Sequence, residues 1–393
     1  MVNQDLGYVG YFDRESCDLD EFKVLTSQAL LVDAVPFAAS VENNVPVYDM
    51  QALRPVLEQT EKRQALLAEW AWVLAKSAGV IALKQAYPDT SVIDRATDVF
   101  RQIIEDERQG GGGEGDHFAA SGANDRIWNA LQKQCLHDPE GFALYFGNTS
   151  IAAACEAWLG PNYQVTAQIN QVRPGGQAQQ AHRDYHLGFQ TADSAARYPA
   201  HAHILTAALT LQGAVAHCDM PVESGPTKLL PFSQLYAPGY LAFHDTDHRA
   251  HFEENYVQLP LQKGDAVFFN PALFHAAGEN RSADIHRMAN LLQVSSAFGR
   301  AMEAVDRRAM SKAVFPSLIT LKQRGDLTAT QLEAAIAATA EGYPFPTNLD
   351  TDPPVGGNAP DSQADILRRA VAEGWSEAQL SNALSALTTR QSA

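Results

Sequence analysis

Cysteine is scarce. Four occur in 393 residues, at Cys17, Cys135, Cys155 and Cys218, and no two form a Cys-x-x-Cys pair. That scatter excludes a disulfide framework and a thiolate zinc cluster. It fits free thiols in a reducing compartment, so the cytoplasm is the expected location. Long apolar runs are missing as well. A membrane helix needs roughly 18–20 apolar residues, and the patch Ala29–Val32 is far too short. The first residues are acidic and polar, with no basic stretch ahead of an apolar one, so no secretory leader is expected there. The final Gln-Ser-Ala is not a retrieval signal. Positive charge is also in short supply: Lys and Arg total 29 against 46 Asp and Glu, a net charge of −17. An acidic surface repels phosphate backbones and argues against nucleic acid as a general partner. Arg307, Arg308 and Lys312 are the densest basic group, and they read equally well as surface salt bridges. Glycine (26) and proline (20) are near background, which excludes collagen-like and low-complexity chains.

What remains is an ordinary globular composition, 46% hydrophobic and 19% charged, long enough for one large domain or two smaller ones. Three textures follow one another. Residues 1–160 are mostly helical in pattern, with Glu61–Lys76 and Ser91–Arg108 carrying apolar residues at helical spacing and Gly79–Lys84 reading as a short strand. Gly110–Gly115 opens a glycine-rich loop, read either as a lid or binding loop or as a surface insertion. Residues 161–299 change period. Tyr163–Val172, His203–Val215, Thr227–Leu230, Tyr256–Leu259, Ala266–Phe269 and Met288–Ser296 read as strands, separated by Gly/Pro/Asn turns. A run of short strands with no interleaved helices predicts an antiparallel sandwich or barrel such as a jelly roll. Residues 300–393 return to helix, with Thr328–Glu341, Ser362–Glu373 and Ser376–Leu387, the last opened by a serine cap. The expected division is therefore an N-terminal helical region over 1–160 packing on a β core over 161–299, and a C-terminal helical extension over 300–393.

Chemistry is carried by histidine. His182-Arg183-Asp184 is a His-x-Asp that follows a predicted strand and a Pro-Gly-Gly turn. In a strand, positions i and i+2 share a face, so His182 and Asp184 reach one ion together. His275 follows the strand Ala266–Phe269. Two histidines and one carboxylate make a facial triad for Fe(II), which leaves coordination positions open for a chelating cosubstrate and O2. Arg287, twelve residues after His275 at the start of the next strand, is placed to clamp a carboxylate bidentately. His286 beside it competes, but a neutral imidazole anchors a carboxylate poorly. His217-Cys218-Asp219 is a second His-x-Asp; no Pro-Gly-led strand precedes it, and the first pair is preferred. His201 and His203 form a possible strand pair without an obvious third ligand. His244, His248 and His251 lie among acidic residues and read as a solvated loop. Tyr185 and His186 flank the metal motif as pocket candidates, and Trp70 and Trp72 read as packing residues.

In order, Gly79–Lys84, Asn124–Asn129, Gln168–Gly176, His182–His186, Glu223–Thr227, Pro231–Ser233, Gly264-Asp265, His275, Asn280–Ser282 and Arg287–Asn290 resemble the phytanoyl-CoA dioxygenase family of Fe(II)/2-oxoglutarate oxygenases over about residues 78–298. Ser224, Phe232 and Gln234 depart from the family's usual Asn, Gly and His. The resemblance implies a mainly β core, a cupin-like double-stranded β-helix flanked by N-terminal and C-terminal helical regions. It implies His182, Asp184 and His275 as iron ligands, Arg287 as the anchor for the distal carboxylate of 2-oxoglutarate, and Gln168 as a polar contact near the cosubstrate. The implied reaction is hydroxylation of a C–H bond in a small or medium organic substrate, with release of succinate and CO2. Related halogenases carry a small residue where Asp184 stands, so a carboxylate there implies hydroxylation, desaturation or a related oxidation. Family members act on acyl-CoA thioesters, amino acids, osmolytes, phosphonates and secondary metabolites, so the resemblance implies a reaction rather than a substrate. The expected partners are the small-molecule substrate, 2-oxoglutarate and O2, with neither nucleic acid nor membrane. Two other readings compete: a cupin-type metalloenzyme without 2-oxoglutarate, which Arg287 disfavours, and a non-catalytic metal-binding barrel, in which an intact triad has no evident use.

Overall fold

A computed structural model describes residues 2–3, 8–110, 124–344 and 346–392. Most of the glycine-rich loop, from 111 to 123, lies outside the described residues. Ten strands frame the site: β1 (Ser40–Glu42), β2 (Val45–Asp49), β3 (Val80–Lys84), β4 (Asn124–Ile127), β5 (Gln164–Val172), β6 (Thr210–Ala216), β7 (Lys228–Leu229), β8 (Ala266–Phe269), β9 (His275–Ala276) and β10 (Arg287–Ser295). Eight form one sheet in the order β1-β2-β3-β8-β6-β10-β5-β4, and β9-β7 form a second. Isolated bridges widen the second sheet: His182 pairs with His275 beyond β9, and Leu229 pairs with Val257 beyond β7. A large sheet and a short one built this way are the two sheets of a double-stranded β-helix.

Local sequence explains most of these elements. β3 and β8 are apolar and β-branched or aromatic, buried along their length, and pair antiparallel with Phe268 opposite Ile81. Asp265 ties the strands together at their ends. Its buried carboxylate accepts from the Gln85 and Gln262 amides, each at 2.8 Å, and from Lys84 Nζ at 2.9 Å. The Gly-Asp signal before β8 is therefore structural, with Gly264 at φ +90° making the turn.

The described residues fall into two compact units. One runs to Pro88 and includes 124–126 and Ile169–Gln293. Its core packs Phe22, Tyr236, Tyr240, Phe252 and Phe274. The other comprises 89–110, Ile127–Gln168 and 294–392, and gathers helices Ser91–Gln109, Ala130–His137, Pro139–Phe146, Thr149–Leu159, Arg307–Arg324, Ala329–Thr339, Gln363–Glu373 and Glu377–Gln391. Phe100, Phe142, Phe315, Leu318 and Leu384 are buried in it. Three of its helices open with capping boxes, on Thr328, Ser362 and, as expected, Ser376.

Three sequence expectations are corrected. β1 and β2 lie within what reads as a helical region. Pro46 inside Val45–Asp49 argues against a strand, yet β2 pairs parallel with β3 and antiparallel with β1. The expected strand His203–Val215 is helix from Ala200 to Ala208 and strand only from Thr210. A continuous apolar run does not separate helix from strand by period, and Pro199 supplies the helix start. The expected solvated loop at His244–His251 is largely helix Thr246–Asn255. Asp245 caps it, and His248 is buried against Phe22 and Tyr236.

Candidate metal centre

The stretch from His182 to Asp184 is extended and lies antiparallel to Pro271–His275. His182 N donates to His275 O at 3.0 Å and His275 N to His182 O at 3.2 Å, while Asp184 N donates to Pro271 O at 3.0 Å. The two histidines are thus a directly opposed cross-strand pair, whose side chains share a face. Their rings lie 4.4 Å apart between centroids. Alternation brings Asp184 to the same face as His182.

Each ring is oriented by its own backbone. His182 Nδ1 is 2.8 Å from Gln180 O, and His275 Nδ1 is 2.8 Å from Leu273 O. A carbonyl accepts only, so Nδ1 carries the proton and Nε2 keeps its lone pair for a ligand. His182 Nε2 stands 3.7 Å from Asp184 Oδ1, and His275 Nε2 stands 3.4 Å from Asp184 Oδ2. One donor atom from each of the three residues lies within 4.8 Å of the others. Metal–nitrogen bonds of about 2.1 Å put neighbouring donors about 3 Å apart, so a small contraction suffices for one ion. The donor set, two imidazoles and a carboxylate with no thiolate, suits Fe(II). Burial lowers the His182 imidazole, and the nearby His275 adds to the effect. Burial alone acts to raise the Asp184 carboxyl, but His182, His275 and the Gln212 amide together hold it well below the usual carboxylate range.

The residue between the ligands points the other way. Arg183 is buried, with Nη2 donating to Ser233 O at 2.6 Å and Tyr236 O at 2.9 Å. Its guanidinium lies 5.1 Å from the centre of the Tyr240 ring and 5.2 Å from that of Phe274. Among the described residues no carboxylate partners it, and burial pushes it down to about 10. Gly239 leaves the room, because a Cβ there would stand 1.9 Å from Arg183 Cζ. The loop that accepts these bonds carries Phe232 at φ +68°. That is the left-handed conformation in which a glycine is relaxed. The resembled family's glycine at this position thus has a geometric reason, and this chain holds a buried phenylalanine there instead.

Arg287 is buried at the start of β10. Its Nη1 donates to Ser224 O at 2.9 Å and Gly278 O at 3.2 Å. Burial pushes the guanidinium down to about 10, so it stays charged at neutral pH. Gln168 is buried in β5. Tyr185 and His186 follow Asp184 at φ +64° and +43°, a strained turn, and His186 Nδ1 is 2.8 Å from Thr206 Oγ1. His203 is buried in its helix with Nε2 3.1 Å from Ala195 O. Trp70 is fully buried, whereas Trp72 is exposed. Two residues at the site escaped sequence reading: Arg183, and Gln212 on β6, whose Nε2 donates to Asp184 Oδ2 at 2.5 Å. The alternation of β6 puts Thr210, Gln212 and Ala214 on one face, but nothing in it says that this face meets Asp184.

Among known proteins, the profile described as phytanoyl-CoA dioxygenase matches residues 75–289. "Dioxygenase trt7" of Aspergillus terreus (strain NIH 2624 / FGSC A1156) is 32% identical over 128 residues, 33% of this chain and 39% of the relative. "Dioxygenase andF" of Emericella variicolor is 31% identical over 142 residues, 34% of this chain and 43% of the relative. The chain thus spans about two fifths of the length of the curated relatives it matches. Solved structures with a similar trace include the non-heme alpha ketoglutarate dependent epimerase SnoN (18% identity, 60% of this chain and 84% of that one, TM-score 0.41). Another is the carbocyclase SnoK, also from nogalamycin biosynthesis (22% identity, 62% and 89%, TM-score 0.42). Among the described residues, no helix is long and apolar enough to cross a membrane.

Proposed function

Because the chain belongs to the phytanoyl-CoA dioxygenase family, we propose that it is an Fe(II)/2-oxoglutarate-dependent oxygenase that hydroxylates a C–H bond of a small or medium organic substrate. In this reading His182, Asp184 and His275 hold the iron and Arg287 anchors 2-oxoglutarate. One observation carries it: two imidazoles whose Nδ1 atoms are bonded to carbonyls present Nε2 to one face, with a carboxylate between them. Bound iron supplies the coupling of 2-oxoglutarate decarboxylation to substrate oxidation, so that substrate, 2-oxoglutarate and O2 become hydroxylated product, succinate and CO2. The protein's part is to hold and orient. The two backbone carbonyls fix the ring tautomers. Asp184 contributes one negative charge, which offsets part of the ion's charge. Arg287 spends one nitrogen on two carbonyls; among the described residues Nε and Nη2 are left for a bidentate carboxylate. A permanently charged fork selects a dicarboxylic oxo-acid over a monocarboxylic one, because a buried guanidinium without its anion is left desolvated.

Anaerobic titration of the Fe(II) protein with 2-oxoglutarate tests the reading. A weak visible charge-transfer band of the chelate is expected in wild type, absent in His182→Ala and shifted to higher cosubstrate concentration in Arg287→Ala. Stoichiometric iron with no band overturns the reading in favour of a metalloprotein that does not use 2-oxoglutarate.

A further inference from the structure

Gln212 stands directly opposite Phe269 across the β6–β8 pair. Directly opposed residues share a face, and the Phe269 ring lies 4.8 Å from that of His275. The amide is thus delivered to the metal donors by the large sheet, while His182, Asp184 and His275 lie on or beside the short one. Its Nε2 donates to Asp184 Oδ2 at 2.5 Å. A carboxylate accepts only, so the amide nitrogen must face it and Oε1 must point away. Oε1 is buried and has no hydrogen-bond donor among the described residues. A buried, unsatisfied carbonyl costs about 1–3 kcal/mol, and an apolar side chain of the same length avoids that cost. The hydrogen bond to the buried carboxylate, about 1.5–3 kcal/mol, offsets that cost, so folding stability gains little from a glutamine here.

We propose that Gln212 is a positioning residue for Asp184. An Oδ2 that is held by the amide is a weaker donor to a metal, so ligation through Oδ1 alone would be favoured over ligation through both oxygens. Bidentate carboxylate ligation would take up one of the positions that a chelating oxo-acid and O2 require. The amide therefore sets the number of open positions without touching the metal, in the way that hydrogen-bonded carboxylates tune other metal sites. This inference rests on the proposed iron-oxygenase reading.

The test compares wild type with Gln212→Met, which has similar volume and no donor. Three readouts are taken: melting temperature of the metal-free protein, Fe(II) affinity, and the infrared splitting of the Asp184 carboxylate on Zn(II) binding. The expected outcome for Gln212→Met is a metal-free melting temperature within a few degrees of wild type, Fe(II) affinity weakened about 10- to 100-fold, and a carboxylate splitting narrowed from the monodentate to the bidentate range. Unchanged affinity and splitting overturn the inference. If Gln212→Met fails to fold, Gln212→Asn, shorter and still polar, is measured in its place, with the same expected narrowing and the same overturning result. Absence of the 2-oxoglutarate band in wild type would instead sink the oxygenase reading, so the two failures are distinguishable.

Discussion

The chain contains two His-x-Asp triplets, and only one is built as a ligand pair. His182 and Asp184 lie in an extended segment whose backbone is bonded to Pro271–His275, and both side chains point at the same neighbour. His217 and Asp219 follow the end of β6, where the chain bends. His217 is buried with its amide on Met288 O, whereas Asp219 is exposed and accepts from the Lys263 amide at 2.9 Å. The spacing is identical, but i and i+2 share a face only while the strand continues. A third histidine–carboxylate pair, His248 with Asp245 at 2.7 Å, is a helix cap. One residue pair thus forms a candidate metal-binding face, a turn or a cap according to the backbone beneath it.

The sharpest way to break this comparison is to exchange ligand and decoy. His182→Ala and Asp184→Ala are expected to weaken Fe(II) binding at least about 100-fold, more than the loss of an outer-shell partner, and to abolish turnover. His217→Ala is expected to leave Fe(II) binding within about twofold. Equilibrium dialysis against iron checks both, and an equal loss at His217 would break the distinction. Next in size, Arg287→Ala is expected to raise the KM for 2-oxoglutarate about 10- to 100-fold, the worth of charge-assisted hydrogen bonds of about 1.5–3 kcal/mol, with Fe(II) affinity unchanged. Initial rates of succinate formation read this out. Arg183→Met removes two carbonyl partners and two ring contacts behind the ligand strand. It is expected to cost about 3 kcal/mol in denaturant unfolding, and Gly239→Ala a comparable amount through overpacking. The smallest effect belongs to the cap. Asp245→Ala is expected to cost about 1 kcal/mol at pH 7. Hydrogen bonding to His248 is the main cause of the lowered Asp245 carboxyl. A lowered acid contributes its stability above the unfolded value and loses it as pH falls through the folded one, so the difference between wild type and variant should hold above about pH 4 and shrink progressively below it. Thermal melts from pH 7 to 3 follow it.

That His182, Asp184 and His275 come together was legible because a strand's period of two is visible in three adjacent residues, with His275 in order behind it. What lay across the sheets was not. Gln212 meets Asp184 only through the β6–β8 register and the closure of two sheets, neither of which is written in residues 208–216. The burial of Arg183 was not legible either, since nothing local announces that Gly239 leaves space for it or that two carbonyls accept from it. The strand at Val45–Asp49 was hidden by Pro46. The helix at Ala200–Ala208 was hidden by an apolar run that suits either state.

The carbonyls of Gln180 and Leu273 each belong to the residue two places before a donor histidine. Each ring is therefore locked by its own strand and needs no help from a distant part of the chain. A side chain frozen in this way has already lost its rotamer freedom during folding, an amount of about 0.5–1.5 kcal/mol per group that a floppy site surrenders at the moment of capture. Metal uptake here is closer to filling a socket than to gathering loose arms. Its rate should follow the ion's shedding of water rather than any rearrangement of the protein.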